Sequence, residues 1–270
     1  MMSGTDLKFK KEPDFSGIVI CTDFDGTLYD HGIAPANVPA INYFMSRGGL
    51  FTLCSGRDGR LLNGGNLPFT PNAPAACMNS GMIYDFEKDE ILEKNPMDDD
   101  YYVLLEDLIA GMALRRADIV SEDLRIGFDT AVPADFAAAR AKIKTPVYKL
   151  VVYKAQPSDD WVPEEAVRIL AGRANILSNS RNCFELTRPG IDKAYGVKKI
   201  KKLTGAKLLI TVGDCDGDIS MFRVADDSFA VGNAIPELKK IAGHVTDNTV
   251  TQGAFPEIIH DLAYLYGGAE

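Results

Sequence analysis

Short, uninterrupted apolar runs recur along the chain, and polar or glycine-containing turns follow them. Gly17-Ile-Val-Ile-Cys-Thr22, Gly49-Leu-Phe-Thr-Leu-Cys54, Pro74-Ala-Ala-Cys-Met78, Ala206-Lys-Leu-Leu-Ile-Thr-Val212 and Ser228-Phe-Ala-Val231 have the length of strands but little polar alternation. That is the pattern of strands covered on both faces of a parallel sheet. Helical spacing fills the intervals, over residues 37–47, with Pro39 in the first turn, and over 193–204, 218–225, 236–242 and 255–266. The alternation predicts an α/β fold, a doubly wound, mainly parallel, Rossmann-like core with the five strands in one sheet.

Between residues 82 and 188 the pattern changes. Ile83-Tyr-Asp-Phe86 and Glu90-Ile-Leu-Glu93 read as a hairpin around Glu87-Lys-Asp89, residues 98–113 and 162–173 as helices, and 147–153 as a strand. Residues 176–180 and 183–187 read as a second hairpin across Arg181-Asn182. The expectation is an inserted α+β domain at 82–188, interrupting a core made of residues 1–81 and 189–270. No repeat, heptad or low-complexity tract is visible.

Composition narrows the function classes. With 270 residues, 46% of them hydrophobic, the chain can bury a core without staples. Cys21, Cys54, Cys77, Cys183 and Cys215 are scattered without metal-ligand spacing and read as core thiols of a reducing compartment. A formal charge of -9 speaks against a nucleic-acid partner, and Lys198, Lys199, Lys201 and Lys202 read as one solvated helix face. No run reaches the ~18 apolar residues of a membrane span, and residues 1–11 are polar without a signal core, so a cytoplasmic protein without a membrane partner is expected. Nothing in the sequence sets an oligomeric state.

The candidate chemistry sits where the apolar runs end. Ligands of such sheets bind at the carboxyl ends of the strands, and Asp23-Phe-Asp-Gly-Thr-Leu28 directly follows the first run. Asp23 suits a nucleophile toward a clamped phosphoryl group, and Asp25 a proton donor to the leaving oxygen. Gly26 permits the sharp turn, and the Thr27 hydroxyl could hold the two aspartates. Gly213-Asp-Cys-Asp-Gly-Asp218 follows a second run. Carboxylates at neighbouring strand ends form an oxygen-rich site suited to Mg²⁺, with Asp214 the principal ligand, Asp218 a second ligand or water-mediated support, and Asp216 exposed. Ser55, Gly56 and the ammonium of Lys193 offer contacts to phosphate oxygens.

These residues together resemble the haloacid dehalogenase (HAD) superfamily of phosphatases, whose four ordered motifs match Asp23-x-Asp25-Gly-Thr, Ser55, Lys193 and Gly213-Asp214-x-x-x-Asp218. More narrowly the chain is similar to the Cof-type, or IIB, branch with a C2 cap. That likeness rests on Asn79-Ser-Gly-Met-Ile-Tyr84, Glu185-Leu-Thr-Arg-Pro-Gly-Ile-Asp-Lys193 and Val231-Gly-Asn-Ala-Ile-Pro-Glu237. The resemblance implies a nucleophile at Asp23, an acid/base at Asp25, phosphate contacts from Ser55, Gly56 and Lys193, and Mg²⁺ held by Asp23, the Asp25 backbone carbonyl and Asp214. The chain departs from the branch at Asn79-Ser80-Gly81, where Asn-Gly-Ala is usual, and at Gly217, where asparagine is usual before the last aspartate of the fourth motif.

The expected activity is removal of phosphate from a small phosphorylated metabolite, a sugar phosphate. A phosphomutase on the same scaffold and a non-catalytic phospho-ligand-binding protein are the alternatives; dehalogenation fits poorly, since an alkyl halide needs no metal site. Arg57, Arg181, Glu185, Arg188 and Asn233 are candidate substrate contacts. His31, His244 and His260 lack partner spacing and read as core or surface residues, and Trp161 as a packing residue at a helix start.

Overall fold

The computed structural model describes residues 9–65, 67–158 and 162–269, with residues 178–180 described by their backbone alone; Trp161 lies outside the described residues. The chain divides into two compact units, one formed by Met1–Glu93 with Lys193–Glu270 and the other by Lys94–Asp192.

The first unit opens with β1 (Ile18–Thr22), α1 (Asn37–Ser46), β2 (Leu50–Leu53), α2 (Gly59–Asn63), β3 (Ala75–Cys77), β4 (Met82–Asp85) and β5 (Glu90–Lys94). The second unit contributes α3 (Tyr101–Gly111), β6 (Leu114–Ser121), β7 (Arg125–Asp129), α4 (Pro133–Lys142), β8 (Val147–Lys154), α5 (Glu164–Leu170), β9 (Asn175–Ser180) and β10 (Cys183–Thr187). The first unit then resumes with α6 (Lys193–Thr204), β11 (Leu208–Gly213), a 3₁₀ turn at Asp216–Asp218, α7 (Ile219–Phe222), β12 (Asp227–Ala230), α8 (Pro236–Ile241), β13 (His244–Val245) and α9 (Phe255–Leu265).

The main sheet of the first unit runs β13-β12-β11-β1-β2 and is parallel throughout. Every residue of β1 is buried, as its unbroken apolar run requires. The register places Thr22 beside both Val212 and Leu53. Chain order reverses between β1 and β11, so the loops after these two strands meet at the switch point where such sheets bind ligands.

Three expectations change here. The run at Pro74–Met78 does not join the main sheet as a fifth strand. As β3 it pairs antiparallel with β4 in a separate β3-β4-β5 sheet, tied to the main one through a bridge from Ala76 to Cys54. The fifth strand is β13, two residues long and too short to leave a pattern. The β4–β5 hairpin, expected in the insertion, lies in the first unit, because Met82, Ile83 and Tyr84 are fully buried there and Ile83 pairs with Ala76. The helix expected over 218–225 is shorter, preceded by the 3₁₀ turn that contains Asp218.

The second unit is built on an antiparallel sheet ordered β7-β6-β8-β10-β9. Ala117, Ile119, Leu150, Val152, Phe184 and Leu186 of the sheet share one core with Leu104, Leu105 and Leu108 of α3, Ala139 of α4 and Ala166 and Leu170 of α5. By strand alternation the other face carries Arg116, Asp118, Lys149, Tyr153 and Glu185. Among the described residues no helix is long and apolar enough to cross a membrane. All five cysteines are free thiols, four of them buried.

Candidate active site

The loop after β1 folds back at once. Leu28 and Tyr29 donate backbone N–H bonds to Phe24 O at 3.0 and 2.8 Å, and Gly26 donates to Tyr29 O at 2.9 Å. Gly26 adopts φ +83°, and a Cβ there would stand 2.5 Å from Asp214 Oδ2. Only glycine satisfies both the backbone and the approach of the second acidic loop. The Thr27 hydroxyl donates to Asp214 Oδ1 at 2.6 Å, so it joins the two acidic loops instead of bracing Asp23 and Asp25. Asn233, read from the sequence as a substrate contact, is itself a brace: its amide donates to Gly26 O at 2.8 Å and its oxygen accepts from Val250 N–H at 2.8 Å.

Lys193 opens α6 and is buried. Its Nζ lies 2.7 Å from Asp23 Oδ1 and 2.6 Å from Asp218 Oδ1. The other Asp218 oxygen accepts N–H bonds from Asp214 at 2.9 Å and Cys215 at 3.1 Å, which bends the loop after β11 around it. Both Asp218 oxygens are thus engaged, and the residue shapes the loop. Asp216, expected to be exposed, is half-buried.

Burial pushes the Asp23 carboxyl up to about 8, against the pull of Lys193 and with the charges of Asp218 and Asp214 adding to the rise. Burial likewise raises Asp214 to about 6, opposed by the Thr27 hydrogen bond and reinforced by Asp218. Burial works against the Lys193 ammonium, but Asp218 and Asp23 outweigh it and hold Lys193 well above its ordinary value. The centre therefore keeps one fixed cation, Lys193, beside two carboxyls, Asp23 and Asp214, that resist ionisation.

Asp25 points elsewhere. Arg57 donates from Nε to Asp25 Oδ2 at 2.8 Å and from Nη2 to Oδ1 at 2.5 Å, with its guanidinium carbon 4.9 Å from the Phe24 ring centre and 5.0 Å from that of Tyr29. Ser55 is fully buried and its Oγ accepts from Arg57 N–H at 3.1 Å. The Ser55-Gly56-Arg57 loop is clamped from behind: Ser55 N–H donates to Ala76 O, Met78 N–H to Arg57 O and Asn79 N–H to Ser55 O, all at 2.8–3.0 Å. To make those bonds Met78, Asn79 and Ser80 take φ of +53°, +54° and +72° in succession. Such a run of left-handed non-glycine residues leaves no sequence signature, and it occurs where structure supports function.

The remaining candidates belong to the second unit. Glu185 is buried, with both oxygens 2.9 Å from Lys149 Nζ, a partner the sequence reading missed. Arg188 Nε stands 3.9 Å from Asp98, and Arg181 is exposed on the turn between β9 and β10. The structure thus gathers Asp23, Asp25, Ser55, Arg57, Lys193, Asp214, Asp218 and Asn233 at one end of the main sheet, and carries Arg181, Glu185 and Arg188 on the other unit.

The sequence profile of the haloacid dehalogenase-like hydrolases matches residues 20–123 and 130–258. The chain belongs to this family. Phosphoglycolate phosphatase 2 of Saccharolobus solfataricus is 49% identical over 70 residues, 26% of this chain and 30% of that protein, so the match spans under a third of that relative. A haloacid dehalogenase-like hydrolase from B. subtilis has the same fold, with a TM-score of 0.74 at 18% identity over 90% of this chain and 99% of that one. So has a HAD subclass IIB sugar phosphatase, with a TM-score of 0.69 at 20% identity over 91% and 98% of the two chains.

Haloacid dehalogenase-like phosphatases generally use a divalent metal, and the donor set fits one. Asp23, Asp214, Cys215 and Asp218 each offer a ligand atom within 4.8 Å of the others. Burial and mutual repulsion raise the carboxyls of Asp23 and Asp214 even beside the ammonium of Lys193, and a divalent cation placed among them would relieve that penalty. Asp218 has both oxygens engaged, whereas Asp23 and Asp214 have only Oδ1 engaged, by Lys193 and Thr27, which leaves an Oδ2 on each as a hard donor that suits a hard ion. Burial pushes the Cys215 thiol far up, and as a thiol it donates weakly to Asp218 Oδ2 at 3.6 Å. The Asp25 side chain, paired with Arg57, is not in this group.

Proposed function

We propose that this hydrolase is a magnesium-dependent phosphatase that cleaves a sugar phosphate or similarly small phosphorylated metabolite through a phospho-aspartate on Asp23. The observation that carries the reading is the Lys193 ammonium 2.7 Å from Asp23, with Asp214 beside them, where the loops after β1 and β11 meet. A nucleophilic carboxylate held against a fixed cation, next to a metal-ready carboxylate, is what in-line phosphoryl transfer requires. When bound, Mg²⁺ would neutralise charge between Asp23, Asp214 and the phosphoryl oxygens.

In this reading an Asp23 oxygen attacks phosphorus, the bond to the leaving oxygen breaks, and that oxygen takes a proton from Asp25. Water then attacks the phospho-aspartate and gives its proton to Asp25 as the bond from phosphorus to the Asp23 oxygen breaks, releasing phosphate. Lys193 and the Ser55-Gly56 turn hold phosphoryl oxygens. Arg57 must let Asp25 go for the proton transfers, so its bidentate grip defines the resting state.

The names of the relatives support the substrate class: one acts on phosphoglycolate, and a structural neighbour is a sugar phosphatase. The unit at Lys94–Asp192 is read as the inserted cap that selects the substrate, and the free cysteines suit a cytoplasmic setting. The test is phosphate release from a panel of phosphorylated metabolites, with and without Mg²⁺, and with Asp23→Asn as control. Metal-dependent turnover of one group of substrates, lost in the variant, is expected. Silence across the panel, with Mg²⁺ still bound, would overturn the phosphatase reading.

A further inference from the structure

The polar face of the second unit's sheet carries an arrangement that the phosphatase reading does not use. The pairing of β6 with β8 passes from Leu114–Lys154 directly to Arg116–Tyr153, so Arg115 is an extra residue in β6. Such a bulge re-aims neighbouring side chains. Here the guanidinium carbons of Arg115 and Arg116 lie 5.3 and 5.8 Å from the centre of the Tyr153 ring. A third guanidinium joins from β7: Arg125 Nε is 2.9 Å from Asp118 Oδ2, and its Nη2 is 3.1 Å from the Tyr153 hydroxyl. Arg116 Nε holds the other Asp118 oxygen at 2.7 Å.

Asp118 is only 1% exposed, whereas the Arg116 and Arg125 side chains are 51% and 55% exposed. One buried carboxylate therefore fixes two guanidiniums whose remaining edges face solvent. A buried carboxylate requires compensation, which one of the arginines supplies, and the second is held in place with donors to spare. A rigid pair of arginine forks, with a third beside it, is the arrangement that receives a planar or tetrahedral oxyanion with little loss of side-chain entropy. Gly127, opposite Asp118 on β7, leaves the room: a Cβ there would lie 2.5 Å from Arg116 Cζ and from Asp118 Oδ1.

Arg115 and Arg116 border an open cleft of about 340 Å³, whose lining is completed by Gly127, Phe128, Asp129 and Asp135. Asp129, the cross-strand neighbour of Arg116, and Asp135 add carboxylates to the same lining, one Asp129 oxygen being taken by Ala131 N–H at 2.8 Å. Cations with carboxylate acceptors beside them suit a molecule whose oxyanion is carried on a body with hydrogen-bond donors. We propose that Arg115 and Arg116, with Arg125 held beside them through Asp118, form a binding site for the carboxylate or phosphate of a small molecule bearing hydroxyl or amino groups.

The test follows the side-chain Nε–Hε NMR signals of Arg116 and Arg125 in the metal-free, full-length protein, assigned by their loss in Arg116→Lys and Arg125→Lys. Inorganic phosphate and glycolate are titrated against sodium chloride of equal ionic strength. Saturable shifts of both signals are expected with phosphate or glycolate, with affinity about tenfold weaker in Gly127→Ala, which keeps every charge but displaces Arg116. Signals that respond no differently from chloride, or unchanged affinity in Gly127→Ala, would overturn the site.

A second arm, which alone rests on the phosphatase reading, identifies the source of the anion. KM is compared for a phosphomonoester bearing a carboxylate and for its analogue with a hydroxymethyl group in that place. If Gly127→Ala raises only the first, the anion is the substrate's own. If neither changes while the NMR shifts stand, the ligand is a separate small acid.

Discussion

Lys193 Nζ stands 2.7 Å from Asp23 Oδ1, with both side chains less than a tenth exposed. A buried ammonium in this position is balanced against Asp23 and Asp218 together, since Asp218 Oδ1 lies 2.6 Å away. Lys193→Met should strand two buried carboxylates and cost about 3–5 kcal/mol in the metal-free protein, a fall in Tm on the order of 10 °C. A loss at pH 7.5 no larger than the ~0.5 kcal/mol of a surface substitution would remove Lys193 from the centre of the site.

The pH dependence of stability has a definite sign. The folded values of Asp23 and Asp214, about 8 and about 6, lie above those of free carboxyls. The folded state therefore binds more protons than the unfolded one, and stability present at low pH is lost as pH rises from about 4 toward 8. In metal-free protein at pH 8, Asp214→Asn should be more stable than the parent, by on the order of 2–3 kcal/mol. Mg²⁺ at a hundred times its Kd should return about 2.7 kcal/mol to the parent and nothing comparable to the variant. Calorimetry at pH 5 and 8 with and without Mg²⁺ checks this, and equal melts of parent and variant at pH 8 would contradict it.

How far the site was legible depended on whether a residue's role follows from its own segment. Asp23 and Asp214 could be placed because β1 and β11 are long buried runs that end directly before them. The Thr27–Asp214 bond and the Asn233 brace join distant loops, and no local pattern announces them. The β4–β5 hairpin was read correctly as a hairpin and assigned to the wrong unit, because the pairing of Ile83 with Ala76 is a tertiary fact. Strands β6 and β7 and helix α4 escaped detection for a related reason. Arg115, Arg116 and Asp118 break the apolar run of β6 to build a polar face, and α4 buries little beyond Ala139.

Gly26 separates two causes of intolerance to a side chain. Its φ of +83° alone strains any other residue, and so does the φ of +67° at Gly205, where a Cβ would meet nothing within 4 Å. Gly205→Ala should therefore cost only the left-handed penalty, roughly 1–2 kcal/mol. Gly26→Ala adds a Cβ 2.5 Å from Asp214 Oδ2 and must displace that carboxylate. Titration calorimetry should show Mg²⁺ affinity at least about tenfold weaker in Gly26→Ala and unchanged in Gly205→Ala. Equal affinities in the two variants would mean that Asp214 does not hold the ion.

Arg57, expected from the sequence to contact substrate, holds Asp25 in a bidentate bond. With side chains 41% and 53% exposed, the pair should contribute no more than ~1 kcal/mol to stability, so Arg57→Ala should fold and melt like the parent. Removing the fork leaves Asp25 unaimed between turnovers, and general acid–base catalysis is worth about 10²–10⁴-fold. The expectation is a kcat about ten- to a hundredfold lower with little change in KM. Arg57→Lys should recover only part of it, because an ammonium cannot hold both carboxylate oxygens in one plane. Steady-state kinetics on whichever phosphomonoester is turned over decides the matter: an unchanged kcat with a raised KM would return Arg57 to the substrate, whereas a lowered kcat ties it to Asp25.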